Sequence, residues 1–555
     1  MLQLLGLETR FDKSVRTAAA CSGAALVLAA FLLTFGPAAV DQAAHSHLQE
    51  IFNRHGFDLW DNSWYLGRYS FVNYSFAFYA LAYLLGLKVL AVVSAASSVA
   101  IISLLADRYF PGSFPGYRRL SLLVVPLMAL TGAWPFLLGM TFMLLTLLMY
   151  GARRRLLYVV GAVLVLLSSP LALIALLLVV LASEATHDLG AADGAWRVFV
   201  KRLLSSYYLW VVAALTLIQL LSIRAFPDHG YYPYWVSDLI QVELFCVICL
   251  LLVPKGRHYS TGLRLLIVGY ALINVVAFFV RSNLGSNAAR IVDFSFPILV
   301  ALVSLRGFRL RALAFAVLGS ALIWNLMPLS QIMSPSIYKT SNASFWEQLK
   351  PVLSRNLAPG SRVELVDTAN HQGDYYLPKM GFPIVRGWFR QDDFPQNALL
   401  YGSAPLSRES YLNWLERSGA SLVVLPPGPY DFSASAEANL IASGDSGLKL
   451  LALVGGSKIY RVPGSPTVVR SPGGAYLPAK IGYDSLSFHA PESGSYTLNL
   501  FYSPYFNVSG GMICASAHGM TTWKINKPGT HRLVFGLTFG RVASVLLGQT
   551  SGLCS

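Results

Sequence analysis

The chain has 555 residues, of which 55% are AVILMFWYC and only 12% are charged, and its mean hydropathy is +0.54. Ordinary soluble proteins carry roughly twice that share of charge, so a string of water-soluble domains is excluded and much of the chain must sit in lipid. The net charge of +15 does not point to nucleic acid as a partner, because the basic residues fall in small groups between apolar runs and form no stripe on a soluble face.

Apolar runs recur from Ala19 to Met327 and then stop, dividing the chain into a membrane half, residues 1–327, and a soluble half. Spans are expected at about 19–36, 89–106, 119–133, 135–151, 156–169, 170–183, 205–223, 238–254, 264–281, 292–305 and 311–327. The run Tyr74–Leu87 is apolar but short, and loop charge decides its status. With it left out of the bilayer, three basic residues fall in each of six loops on one side: Arg10, Lys13, Arg16; Arg108, Arg118, Arg119; Arg153, Arg154, Arg155; Arg197, Lys201, Arg202; Lys255, Arg257, Arg264; and Arg306, Arg309, Arg311. The opposite side holds only Arg54, Arg68, Lys88, Arg224, Arg281 and Arg290. The positive-inside rule then gives eleven spans, a cytoplasmic N-terminus and an extracytoplasmic C-terminal half in the plasma membrane of the cell. A cleaved signal peptide ending near Gly36–Ala39 is the alternative reading of the first run.

Residues 328–463 alternate helix and strand signals and predict a small α/β domain: a helix over Asn342–Leu357, a buried strand over Arg362–Asp367, a helix over Ser407–Ser418 capped by Ser407, and a strand over Ser421–Leu425. Residues 464–555 carry short alternating runs that predict a β-sandwich, with Tyr496, Leu498, Leu500 and Tyr502 sharing one face. Trp523, Tyr502 and Tyr505 are candidate carbohydrate contacts there, with core packing the expected role of each. Cys21, Cys246 and Cys249 fall in spans as small packing residues. Cys514 and Cys554 both fall in the oxidising external half and predict a disulfide.

The informative segment follows the first span, from Gly36 to Gly86, GPAAVDQAAHSHLQEIFNRHGFDLWDNSWYLGRYSFVNYSFAFYALAYLLG. Asp41 heads an amphipathic, aromatic-rich stretch that predicts a lid lying on the bilayer. This layout resembles the GT-C superfamily of membrane glycosyltransferases, which take a sugar from a polyprenyl-phosphate carrier. DQAAHSHL is similar to the signature of bacterial membrane proteins carrying a 6-pyruvoyl-tetrahydropterin-synthase-related domain. LSSPLALIALLL (167–178) resembles a Pro-containing span of that group, with a Ser where a His is frequent. NLGSNAARIVDFSFP (283–297), RGWFRQDD (386–393) and YLNWLERSGASLVVLPPGPYDFSASAEANLI (411–441) resemble actinobacterial members. The resemblance implies a GT-C-like transmembrane domain with a catalytic first external loop, residues 37–88. It implies a polyprenyl-phosphate sugar donor, a cell-envelope glycan or lipid acceptor, and arabinofuranose or mannose as the sugar. It also implies that an acidic residue of that loop is the catalytic base.

Sugar transfer to a hydroxyl needs a base for the acceptor proton and cations or dipoles for the departing phosphate. Asp41 is the first candidate base, with Asp58 and Asp61 of the same loop as alternatives. Arg290, Arg281, Arg224 and Arg68 are candidate phosphate ligands, because outward arginines at helix ends run against the topogenic bias. His45 stands four residues after Asp41; with His47 it either supports the loop or joins Asp41 on a divalent metal. The external segment AFPDHGYYPYW (225–235) adds Asp228, His229 and aromatics that suit a membrane interface. The expected activity is an inverting, GT-C-type glycosyl transfer. A non-catalytic glycan-binding or assembly protein and a lipid-linked sugar transporter are the alternatives, the latter disfavoured by span interiors nearly free of charge apart from Glu243.

Overall fold

The computed structural model describes residues 2–109, 116–186, 201–227, 230–253, 260–292, 319, 339–394, 396–402, 405–516 and 518–549. The chain divides into two compact units. One comprises Met1–Ala39, Tyr74–Leu220 and Tyr232–Ser330; the other comprises Val40–Asn73, Leu221–Tyr231 and Gln331–Ser555.

In the first unit, the expected runs that fall among the described residues are helical: Leu2–Phe35, Leu87–Tyr109, Gly116–Thr131, Trp134–Gly151, Arg155–Ser168, Pro170–Thr186, Tyr207–Ala225, Val236–Leu252 and Ser260–Phe279. The last turn of Tyr207–Ala225 belongs to the second unit. Among the described residues, five helices are long and apolar enough to cross a membrane: Lys13–Phe35, Leu87–Tyr109, Trp134–Gly151, Tyr207–Ala225 and Ser260–Phe279. They mark a membrane protein. Arg155–Ser168 and Pro170–Ala185 are apolar but shorter. The runs at 292–305 and 311–327 fall almost wholly outside the described residues.

The run Tyr74–Leu87 forms only the nine-residue helix Ala77–Leu85, about 13 Å long at 1.5 Å per residue, well short of a hydrocarbon core of roughly 30 Å. Polar ties and small residues fix the helix packing. Lys88 Nζ donates to the Leu33 carbonyl at 2.8 Å and Ser14 Oγ to Asp107 Oδ2 at 2.6 Å, joining the first helix to Leu87–Tyr109. A Cβ on Gly139 would meet the Ser169 and Ala172 side chains at 2.8 and 2.9 Å, so glycine permits the close approach there.

The second unit contains the α/β domain. Arg362–Leu365 and Ala420–Leu425 pair in parallel, and Ser457–Arg461 and Lys449–Val454 extend the sheet antiparallel. Both parallel strands are buried along their whole length: Ala420–Leu425 reads as a nearly continuous apolar run, whereas Arg362–Leu365 also buries the charged side chains of Arg362 and Glu364. Ile384 bridges Val363 in parallel and adds a third aligned segment. Ser407 caps helix Arg408–Ser418 by accepting from the Ser410 N–H, as expected. The helix expected over Asn342–Leu357 is two pieces, Ala343–Glu347 and Lys350–Asn356, because Pro351 starts the second and has no N–H to continue the first.

After Gly464, two antiparallel sheets form. One runs Phe506–Val508, Gly529–Phe535, Ser485–Ala490, Ala479–Ile481; the other runs Met512–Ala515, Met520–Ile525, Gly494–Phe501, Val469–Arg470, Tyr476–Leu477. Tyr496, Leu498 and Leu500 are buried, but Tyr502 does not join them. A register shift between Leu498 and Phe501 turns Phe501 inward instead. Trp523 and Tyr505 are fully buried and serve packing. Cys514 is disulfide-bonded while Cys21, Cys246 and Cys249 are free. The expected partner, Cys554, lies outside the described residues.

Residues 40–73, the first part of the expected lid, are an integral part of this unit. Helix Gln42–His55 packs on helix Gln372–Lys379. The ribbon of Trp60–Asp61 against Arg68–Tyr69 places Trp60 against Phe506 and Phe535 of the sandwich. Large apolar rings in this loop, which the sequence presents as an interfacial belt, are fully buried: Trp60 is 1% and Trp64 0% exposed. Gly387 makes the approach possible, since a Cβ there would lie 2.4 Å from the Trp64 ring.

Candidate functional site

Asp41 stands at the N-cap of helix Gln42–His55 and is half-buried. Its side chain does not cap the helix; Oδ1 instead accepts the Trp388 indole N–H at 3.1 Å. Trp388 in turn stacks on His371, with ring centroids 3.3 Å apart and planes 12° apart. Its other neighbour is Arg390, whose guanidinium lies 4.5 Å from the Trp388 ring centroid and 4.3 Å from that of Phe432. Phe432 is 59% exposed, so the stack runs from a buried imidazole to a ring that faces solvent.

The stack sits at the carboxyl edge of the parallel strands. Asp367 closes the RVELVD segment, Arg386 and Trp388 follow Ile384, and Asp431 follows strand Ala420–Leu425. In α/β sheets ligands bind at this edge, where the chain leaves the strands in loops. His371 reaches it in the left-handed region, at φ +55°, immediately before helix Gln372–Lys379. Its Nδ1 pairs with Asp367 Oδ2, and its Nε2 lies 3.9 Å from Asp431 Oδ2. Arg390 donates to both carboxylate oxygens of Asp431 at 2.6 Å. Burial raises the Asp431 carboxyl, but Arg390 and His371 outweigh it and hold the group well below the usual carboxylate range.

Behind this edge lies a second buried ionic group. Arg386 donates to Asp393 at 3.1 and 3.0 Å, to Ser433 at 2.6 Å and to Glu437 at 3.3 Å, and lies 3.8 Å from Glu364. One guanidinium cannot satisfy three carboxylates, and burial pushes Glu364 and Glu437 up toward their protonated forms. These groups brace the edge from within.

The remaining sequence candidates separate by their surroundings. Asp61 is fully buried, pairs with His47 Nε2 at 2.8 Å and accepts the Ser63 N–H at 2.8 Å. Burial raises it, but these partners outweigh burial and hold it ionised. His47 also stacks on Trp64 at 4.0 Å. Asp61 and His47, 0% and 4% exposed, therefore brace the loop from inside the fold. His45 is buried in the same helix, 1% exposed. Asp58 is half-buried and accepts the Trp60 N–H at 3.3 Å.

Arg68 is buried, pairs with Asp392 at 2.7 Å and lies 4.1 Å over the Phe389 ring, so its charge is committed inside the fold. Arg224 is exposed at the end of its helix. Arg281 and Arg290 belong to the helical unit, the first exposed and the second half-buried. Arg290 follows the turn Gly285–Ala289, which Tyr270 anchors through its hydroxyl to the Ala288 carbonyl at 2.8 Å. Asp228 and His229 lie outside the described residues.

The arrangement contains groups that sequence reasoning did not assign. Trp388 and Arg390 lie in the RGWFRQDD segment, where only a resemblance marked them. His371, Asp367 and Asp374 carry no spacing that identifies them before the fold is known. These three bring one ligand atom each within 4.8 Å of one another, a geometry that can hold a metal ion. No protein-family model and no curated protein matches this chain.

Proposed function

We propose that this membrane protein is an inverting glycosyltransferase of the GT-C type, with Asp41 as general base. Its N-terminus is cytoplasmic, its eleven spans hold the lipid carrier, and its C-terminal half faces outward. The acceptor hydroxyl gives its proton to the Asp41 carboxylate as its oxygen attacks the anomeric carbon. The bond from that carbon to the phosphate oxygen breaks on the opposite face, releasing polyprenyl phosphate and inverting the centre. Arg224, Arg281 and Arg290 are the arginines assigned to the growing phosphate charge, each to be tested by Arg→Gln. The acceptor is a cell-envelope glycan or lipid, with arabinofuranose and mannose the sugars to try first.

The observation that carries this reading is the half-buried Asp41 carboxylate held by the Trp388 indole, at the carboxyl edge of a sheet and beside an aromatic–arginine stack. Trp and Phe faces suit the apolar C–H surface of a sugar ring, and a fixed carboxylate at their edge suits proton abstraction. The same aromatic stack also favours glycan binding without transfer. Transfer assays with wild type and Asp41→Asn separate the two: an enzyme loses turnover in the variant, whereas a binding protein turns nothing over and holds glycan equally well in both forms.

A further inference from the structure

We propose that Asp367, His371 and Asp374 form a divalent-cation site in the extracytoplasmic α/β domain, at the carboxyl edge of its parallel strands. This site is distinct from the first-loop pairing of Asp41 with His45 that the sequence suggests, and it does not rest on the glycosyltransferase reading.

Three independent observations converge. The ligand atoms of the three side chains lie within 4.8 Å of one another. All three residues are more than nine-tenths buried: Asp367 is 6%, His371 1% and Asp374 2% exposed. Asp367 Oδ1 and Asp374 Oδ2 are buried atoms with no hydrogen-bond partner among the described residues. Buried carboxylate oxygens are almost always satisfied, and two orphans in one cluster mark the place of a missing cationic partner.

The nearby guanidinium groups do not fill that place. Arg390 is committed to Asp431, and Arg386 to Asp393, Ser433 and Glu437. The cluster is also rigid: the His371 N–H donates to the Thr368 carbonyl at 2.9 Å, the Asp374 N–H to the His371 carbonyl at 3.1 Å, and Trp388 covers the imidazole. The donor set of two carboxylates and one imidazole suits Mn²⁺ or Zn²⁺. It suits Ca²⁺ less, which prefers six to eight oxygens. Such an ion ties the strand end at Asp367 to the helix start at Asp374, and so fixes the imidazole on which Trp388 rests.

The test uses full-length protein in nanodiscs, stripped with chelator and titrated with Mn²⁺ and, separately, Zn²⁺. Bound metal is counted by elemental analysis, Mn²⁺ is followed by electron paramagnetic resonance, and thermal melting is recorded at each concentration. Wild type should take up one ion per chain, with a melting temperature that rises with metal concentration. Asp374→Asn, which preserves shape, and His371→Gln should each abolish both effects while still melting cooperatively without metal. Asp41→Asn should keep the ion. Absence of uptake by wild type, or uptake unchanged in Asp374→Asn, overturns the site. So does loss of the ion in Asp41→Asn alone, which moves it to the first loop.

Discussion

The Trp388 indole N–H donates to Asp41 Oδ1 at 3.1 Å, joining residues 347 positions apart in sequence. A carboxylate that follows the first apolar helix is thereby bonded to the α/β domain. The bond makes Asp41 part of the carboxyl edge of the sheet; under the proposed glycosyl transfer its role is to position the base.

Trp388→Phe tests that role. Phenylalanine keeps a ring to stack on His371 but removes the indole donor to Asp41, and a hydrogen bond to a charged acceptor is worth roughly 1.5–3 kcal/mol. Sugar transfer should fall by about tenfold or more while the melting temperature changes little. Kinetics and a thermal melt on the same preparation check both halves.

Asp61 should behave in the opposite way. It is buried between His47 and Ser63, and Arg362, fully buried and bonded to Asn62 at 2.6 and 3.0 Å, draws on its charge. Asp61→Ala leaves these partners uncompensated and should cost on the order of 3 kcal/mol of stability. Asp41→Asn, at a half-buried position, should cost far less. Denaturant or thermal unfolding of both variants gives the comparison.

How much of this was legible in the sequence follows from which signals are local. Apolar runs are local, so Leu87–Tyr109 and Ser260–Phe279 were readable to within a few residues, and the run Tyr74–Leu87 was set aside on its short length and on loop charge. Strand alternation located Gly494–Phe501, but the bulge that exchanges Tyr502 for Phe501 depends on the partner strand Met520–Ile525 and leaves no local mark. At the site, Asp41 was visible through its place after a span. Trp388, His371 and Asp374 were not, because they meet only when strands Arg362–Leu365 and Ala420–Leu425 align. The burial of Trp60 and Trp64 was hidden for a related reason: the aromatic residues of an interfacial belt and of a buried protein contact look alike until Gly387 and the sandwich are in place.

Asp58 gives a pH signature. Burial is the dominant cause, with Asp484 and Asp61 adding repulsion against the Trp60 N–H bond, and it lifts the carboxyl from 3.8 to about 6. The folded chain then keeps a proton that the unfolded chain has already released. The stability this contributes is fully present below the unfolded value and is lost as pH rises through about 6. Between about pH 4 and pH 6.5, Asp58→Asn should therefore show a smaller decline in melting temperature than wild type, and at neutral pH it should be the more stable of the two.

The thiols give a further check. With five cysteines in the chain and Cys21, Cys246 and Cys249 free, denatured unreduced protein should react with three equivalents of a maleimide. Prior reduction should expose two more. Mass mapping should place them at Cys514 and Cys554, and the unreduced sample of Cys554→Ser should label a fourth site, Cys514.

The central claim is that Asp41 is the base of a glycosyl transfer. The direct measurement is transfer by wild type and Asp41→Asn in nanodiscs, with a panel of polyprenyl-phosphate sugars and a cell-wall glycan as acceptor. If Asp41 is that base, wild type turns over at least one donor and a folded Asp41→Asn loses about 100-fold or more of that turnover. Turnover retained in that variant, or no transfer by wild type from any donor while glycan still binds, contradicts it.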